Sequence, residues 1–370
     1  MRPLLLLLAV LTFFPHRVGA QALKPVTAPS LETELDPQLW RTPAQRQALL
    51  QALNHSLRYL QSPQAAKAYR NYPIPGVTRE RTRRSLLRFQ TLLAQAKTPQ
   101  ALEASLKRDF IFYQAQGQDN QGTVHFTGYF EPVYQASRRR KGEYQYPVYG
   151  LPKNFSRWPK PHPTRAELEG RDGRGGQLQG SELLWFSSRL SAYLVQIQGS
   201  AKINLLDGAR LSLAFAGSTD YPYVSLGKEL VKDGVFQAGE VTLPLILDYF
   251  RQNPQQLSVY IPRNQRFIFF KLASAGAPAQ GSIGVPVTAE RSIATDKSLM
   301  PPGALALLQA PIPDANLQKR TVNRFVLDQD TGSAIKGPGR VDIFMGTGEL
   351  AGARAGLMSD DGVLYYLMAK

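Results

Sequence analysis

Hydrophobic positions change their spacing along this chain. An apolar run, interrupted only by Thr12, covers Leu4 to Phe14. From Thr42 to about Lys107 apolar residues recur at helical spacing, as in TPAQRQALLQALNHSLRYL with leucines at 49, 50, 53, 57 and 60, the stripe of a helix with one buried face. Thr42 is placed as its cap with Pro43 first, RRSLLRFQTLLAQA repeats the stripe, and Thr98-Pro99 starts another helix. From Thr123 onward the pattern becomes short runs rich in Val, Ile, Tyr and Phe, separated by Gly, Pro and Asp turns. TVHFTGYF, YLVQIQGSAKINL, LSLAFAG, RFIFFKL, RFVLD, VDIFMG and VLYYLM are expected strands, and SLGKELVKD and VTLPLILDYFRQ expected helices. Helices followed by many strands predict a mainly β, α+β fold with barrel character rather than a doubly wound sheet.

The amino terminus, MRPLLLLLAVLTFFPHRVGAQA, reads as a secretory signal over residues 1–22, with small residues Ala20 and Ala22 suited to cleavage. Basic SRRRKGE at 137–143 and small-residue ASAGAPAQGS at 273–282 mark boundaries. They divide the rest into an amino-terminal helical part (23–138), an inserted β-rich segment (139–272) and a carboxyl-terminal part (273–370). The loop GRDGRGGQLQG, 170–180, is expected to be mobile.

With 44 Lys and Arg against 28 Asp and Glu, the formal charge is +16, which favours a polyanionic partner. For an exported protein that means cell-wall polymer or lipid head groups rather than nucleic acid. There is no cysteine, which excludes disulfides, thiolate zinc sites, catalytic thiols and a cysteine-linked lipid anchor. The histidines at 16, 55, 125 and 162 are scattered, and DQDTG from Asp328 fails as a calcium loop because Ser333 and Gly339 stand at its glycine and glutamate positions. No GxSxG elbow or GxxxxGK[ST] loop is present. What remains is carboxylate chemistry with no metal and no cofactor.

The carboxyl-terminal quarter sets three aspartates beside strand-like runs and Gly or Pro turns: Asp296 in SIATDKSLMPPG, Asp330 in LDQDTGSAIKGPG and Asp342 in RVDIFMGTG. Any one alone reads as a turn or cap residue. Together they suit glycosidic bond cleavage, which needs a carboxylic acid kept protonated near neutral pH by burial or a neighbouring charge. Tyr129, Phe130 and Tyr134 in FTGYFEPVYQ, with Tyr221 and Tyr223 in STDYPYVSLG, are candidate platforms for sugar rings or simple strand packing.

Taken in order, FTGYFEPVYQASRRRKGEYQYPVYGLPK, VQIQGSAKINL, YPYVSLGKELVKDG, NQRFIFFK, SIATDKSLMPPG, DTGSAIKG and VDIFMGTG resemble the MltA family of lytic transglycosylases from about Thr127 to the carboxyl terminus. The resemblance implies a double-psi β-barrel made from both ends of the chain, a second β-rich domain inserted in it, and a groove between them for a peptidoglycan strand. It makes the three aspartates the family's signature, with Asp342 at the position of the single acid/base and Asp330 beside it. Candidate substrate-binding positions are Asp296, which matches the first of the three aspartates with no role assigned by the resemblance, together with Tyr129, Gln198, Gly199, Ser200, Tyr223 and Lys336. The implied reaction cuts the β-1,4 bond between N-acetylmuramic acid and N-acetylglucosamine without water, leaving 1,6-anhydro ends. The expected partner is the glycan strand, met by a periplasmic monomer with peripheral association to wall or outer membrane. Three departures stand out: no anchoring cysteine, Ala201 where the family has glycine after Ser200, and an interval between Asp330 and Asp342 one position longer than usual. Two other readings remain open, an inverting glycosidase in which Asp330 or Asp296 activates water, and a wall-binding protein without catalysis.

Overall fold

The computed structural model describes residues 22–29, 33–237 and 239–370. The expected signal peptide lies outside the described residues except for Ala22. Strand β1 (Leu23–Val26) precedes helices α1 (Gln38–Arg41), α2 (Pro43–Leu60), α3 (Pro63–Ala68), α4 (Arg79–Gln95) and α5 (Pro99–Asp109), which lead into β2 (Phe110–Ala115) and β3 (Val124–Glu131). Thr78 and Thr98 cap α4 and α5 by accepting the N–H groups of Arg81 and Ala101. Thr42 precedes α2 with Pro43 first, and its side chain makes no capping bond.

The middle of the chain contributes β4 (Val133–Ala136), β5 (Tyr146–Tyr149), α6 (Arg165–Glu169), β6 (Glu182–Phe186), α7 (Arg189–Gln198), β7 (Ala201–Leu205), β8 (Arg210–Ser218), α8 (Leu226–Lys232), α9 (Leu243–Gln252), α10 (Leu257–Tyr260) and β9 (Ile268–Ser274). Strands pair in the order β4-β7-β8-β9, with β5 and β6 as a separate ribbon. This segment buries its own apolar clusters, among them Val148, Leu184, Phe186, Ile203 and Phe270. The carboxyl-terminal part adds β10 (Ser292–Ala294), β11 (Leu305–Pro313), β12 (Lys319–Asp330), β13 (Arg340–Thr347), α11 (Glu349–Leu357) and β14 (Ser359–Ala369).

Strands β14-β11-β12-β10-β13-β3 pair in that order, and β3 pairs back onto β14, closing a six-stranded barrel. Two of its pairings are parallel, β10 with β12 and β13 with β3. Closure removes the free edges that an open sheet would expose. The barrel core and the amino-terminal helices share one apolar cluster, in which Phe89 of α4 meets Phe325 of β12 with ring centroids 4.7 Å apart. The barrel-containing α+β fold therefore matches the sequence expectation.

Two local readings change. YLVQIQ, expected as strand, is the second half of α7: Ser188 accepts the Ser191 N–H, Ala192, Tyr193, Val195 and Gln196 are buried, and left-handed Gly199 (φ 79°) ends the helix before β7 begins at Ala201. The loop expected to be mobile is bonded back onto α6, through Gly175 N–H to Glu169 O (3.0 Å), Gln177 N–H to Glu167 O (2.9 Å) and Leu178 N–H to Leu168 O (3.1 Å).

Candidate active site

Side chains alternate across a strand, so β3 sends Val124 and Phe126 into the barrel core while His125, Thr127 and Tyr129 take the other face. On β13 Val341, Ile343 and Met345 enter the core, and Arg340, Asp342 and Phe344 share the outer face. Register then fixes the site. Asp342 lies opposite Thr127 on one side and Ala294 on the other, and Asp330 lies opposite the same Ala294 from β12. The two aspartates flank one strand, with backbones ~10 Å apart.

Asp342 is partly buried, and its Oδ1 accepts one hydrogen bond, from Thr127 Oγ1 at 2.8 Å. Burial pushes its pKa from 3.8 up to about 6; the Thr127 hydroxyl and the Arg340 guanidinium pull it down, and Asp330 adds a smaller push upward. Asp330 is raised as well, chiefly by burial, against the donors that hold its carboxylate. Those donors are the Tyr129 hydroxyl at 2.7 Å and the N–H groups of Ser282 and Thr331 at 2.9 and 2.8 Å. Tyr129 reaches Asp330 by crossing over β13, where its ring lies 5.2 Å from that of Phe344. Next to them Asp328 is fully buried with Lys297, Thr295 and the Tyr366 hydroxyl, so the lysine's charge is matched inside the barrel wall.

Asp296 does something different. Its carboxylate accepts from Ser298 N–H and Oγ (3.1 and 2.6 Å) and from Gly337 N–H (3.0 Å), pinning the segment between β12 and β13. Burial alone would raise its pKa, but those bonds, together with the nearby Lys336, hold it below the ordinary value. Lys336 itself is exposed, and the cation that acts on Asp342 is Arg340. At Gly339 an added Cβ would lie 2.4 Å from Gln118 N, so only glycine lets the segment return this closely to the barrel.

Gln198, Gly199 and Ser200 sit where the middle segment meets the barrel: Gln198 Oε1 accepts the Phe130 N–H at 3.3 Å. Close by, buried Glu131 accepts from Thr347 Oγ1 at 2.9 Å and lies 3.8 Å from Lys202 Nζ. Tyr223 lies apart, in the middle segment, beside Tyr193 and Ser225. Tyr134 lines a cavity of about 740 Å³ with Tyr146, Arg174, Arg189, Phe250 and Ser258, and none of Asp296, Asp330 or Asp342 lines it. His125 Nδ1 is 2.9 Å from Asp361 and its Nε2 3.4 Å from Ser359 Oγ. The Ser359 N–H is already donated to Asp360, and both Ser359 and Asp361 are open to water, which leaves that trio without the dry oxyanion pocket a serine nucleophile needs. Among the described residues no group of three or more His, Asp or Glu is placed to hold a metal ion.

Thr127, Arg340, Glu131, Asp328 and Lys297 were not anticipated from sequence. The alternation in VHFTGYF and RVDIF was a usable signal for Thr127 and Arg340. The Glu131 and Lys297 pairings join distant segments and had none.

A family description named "MltA specific insert domain" matches residues 125–271, and one named "3D domain" matches 291–368. A membrane-bound lytic murein transglycosylase A of Escherichia coli (strain K12) is 34% identical over 260 residues, 69% of this chain and 68% of that protein. The chain belongs to the MltA family. A Vibrio cholerae member is 35% identical over 249 residues, 66% of this chain and 65% of its own. Among solved members, E. coli MltA with bound chitohexaose superposes with a TM-score of 0.74 at 25% identity, covering 94% of this chain and 95% of that one. LtgG, a lytic transglycosylase of Burkholderia pseudomallei, gives 0.53 at 30% identity over 94% and 96%. No helix among the described residues of this MltA-family chain is long and apolar enough to cross a membrane.

Proposed function

We propose that this chain is a peptidoglycan lytic transglycosylase in which Asp342 is the acid and then the base. The observation that carries the reading is a carboxyl raised to about 6 by burial, with one hydroxyl donor, on the barrel's polar outer face. Protonated Asp342 gives its proton to the glycosidic oxygen as positive charge develops at the muramoyl C1. The resulting carboxylate takes the proton of the C6 hydroxyl of the same sugar, whose oxygen closes on C1. Because that nucleophile is tethered to its own electrophile, no second carboxylate is needed to place water. Asp330 argues for this over inverting hydrolysis: with three donors on its carboxylate it is poorly placed to deprotonate water.

In this reading β4 to β9 form the inserted domain, crossing over between β3 and β4 a few residues before 139 and returning near 272. Gln198, Gly199 and Ser200 line the glycan's path at that crossing, Tyr129 holds Asp330, and Asp296 supports the neighbouring loop. The enzyme works as a monomer outside the inner membrane on wall-bound strands. Asp342→Asn tests the assignment on purified sacculi: it should hold the strands and release no soluble fragments. Release at the parent rate would remove Asp342 from the mechanism.

A further inference from the structure

On the outer face that carries Asp342, one cation lacks a partner. Every other arginine that is at least partly buried among the described residues donates to an acceptor within the protein. Arg340 is partly buried and donates to none, and its interaction is a Coulombic one with Asp342. The acid nearest in register, Asp361, is already taken by His125, which stands directly opposite Arg340 on β3. Burial holds the Arg340 pKa below its ordinary value, the direction expected of a cation taken from water without compensation. A half-desolvated guanidinium with five free donors is a fork suited to a carboxylate.

Its place says which carboxylate. Arg340 and Asp342 are two positions apart on one strand, so their backbones are ~7 Å apart and their side chains point the same way. A muramoyl residue set with its glycosidic oxygen at Asp342 carries an acidic arm on its C3 oxygen, on the same ring. We propose that Arg340 forms an anion subsite for the carboxylate borne on that C3 arm, and so selects muramoyl residues over plain N-acetylglucosamine at the cleavage position. The inference rests on the transglycosylase reading. The carboxylate is either that of the lactyl group, free where the peptide has been removed, or one on the stem peptide.

The test measures binding in an Asp342→Asn background, so that strands stay whole, with three ligands: peptide-bearing glycan strands, strands stripped of peptide by an amidase, and chitohexaose, which has no arm. Adding Arg340→Gln should weaken strand binding about ten- to hundred-fold, the span of a charge-assisted hydrogen bond, and leave chitohexaose unchanged. Arg340→Lys should recover part of the loss. Loss with peptide-bearing strands alone places the carboxylate on the peptide; loss with stripped strands places it on the lactyl group. Equal loss with all three ligands, or loss with none, overturns the subsite. If the Asp342→Asn protein with Arg340 intact binds none of the three, the glycan reading itself fails.

Discussion

Asp342 is held in a state that the fold disfavours once the proton leaves. Its pKa is raised from 3.8 to about 6, so between those values the folded protein binds a proton more readily than the unfolded chain does. Stability must therefore fall as pH rises through that window and stay lower above it, the reverse of a salt-bridged aspartate. Replacing Asp342 with Asn keeps an oxygen to accept from Thr127 and removes the buried charge. Urea denaturation at pH 7 should show the variant ~1–3 kcal/mol more stable than the parent, with the gap closing below about pH 4; equal stability at pH 7 would mean the carboxylate is well solvated. In the proposed donor role the same raised value sets the alkaline limb of activity, because only the protonated form gives up a proton: kcat/KM should decline above about pH 6.

Elements place these residues more than local sequence does. Asp330 and Asp342 are separated by the whole segment from Thr331 to Val341, yet the register of β10, β12 and β13 sets both against Ala294. The sequence showed the strands and the three aspartates, because alternation and turn residues are local signals. It could not show that Asp296 fastens Gly337, or that Glu131 meets Lys202, since those contacts follow from pairing between distant segments. The misreading of YLVQIQ has a local cause: its Val and Ile favour strands, while the deciding signals were the Ser188 cap and the three-to-four spacing of buried positions. The contact between β3 and α11 is tight in a testable way. A Cβ at Gly128 would lie 2.8 Å from the Ala355 Cα and 2.9 Å from Met358 Sδ. Gly128→Ala should cost about 1–3 kcal/mol by forcing α11 off the strand that carries Thr127 and Tyr129, and thermal unfolding unchanged from the parent would show that the helix yields freely.

At the scale of the molecule, one buried joint fastens the middle segment to the barrel. Glu131 ends β3, Lys202 sits in β7, and Lys202 also donates to the Ala277 carbonyl on the return path, so both crossings of the chain meet at one ion pair. The aspartate face begins four residues before that joint on the same strand, at Thr127. The sequence as a whole carries a formal charge of +16, a balance that favours polyanionic partners, while the site chemistry decides what is cut. The central claim is that the attacking hydroxyl belongs to the sugar itself. Mass spectrometry of the fragments released from purified peptidoglycan tests it most directly. The account predicts muropeptides one water lighter than their reducing counterparts, carrying 1,6-anhydro ends, from the first turnovers onward; fragments with only reducing muramic ends would contradict it.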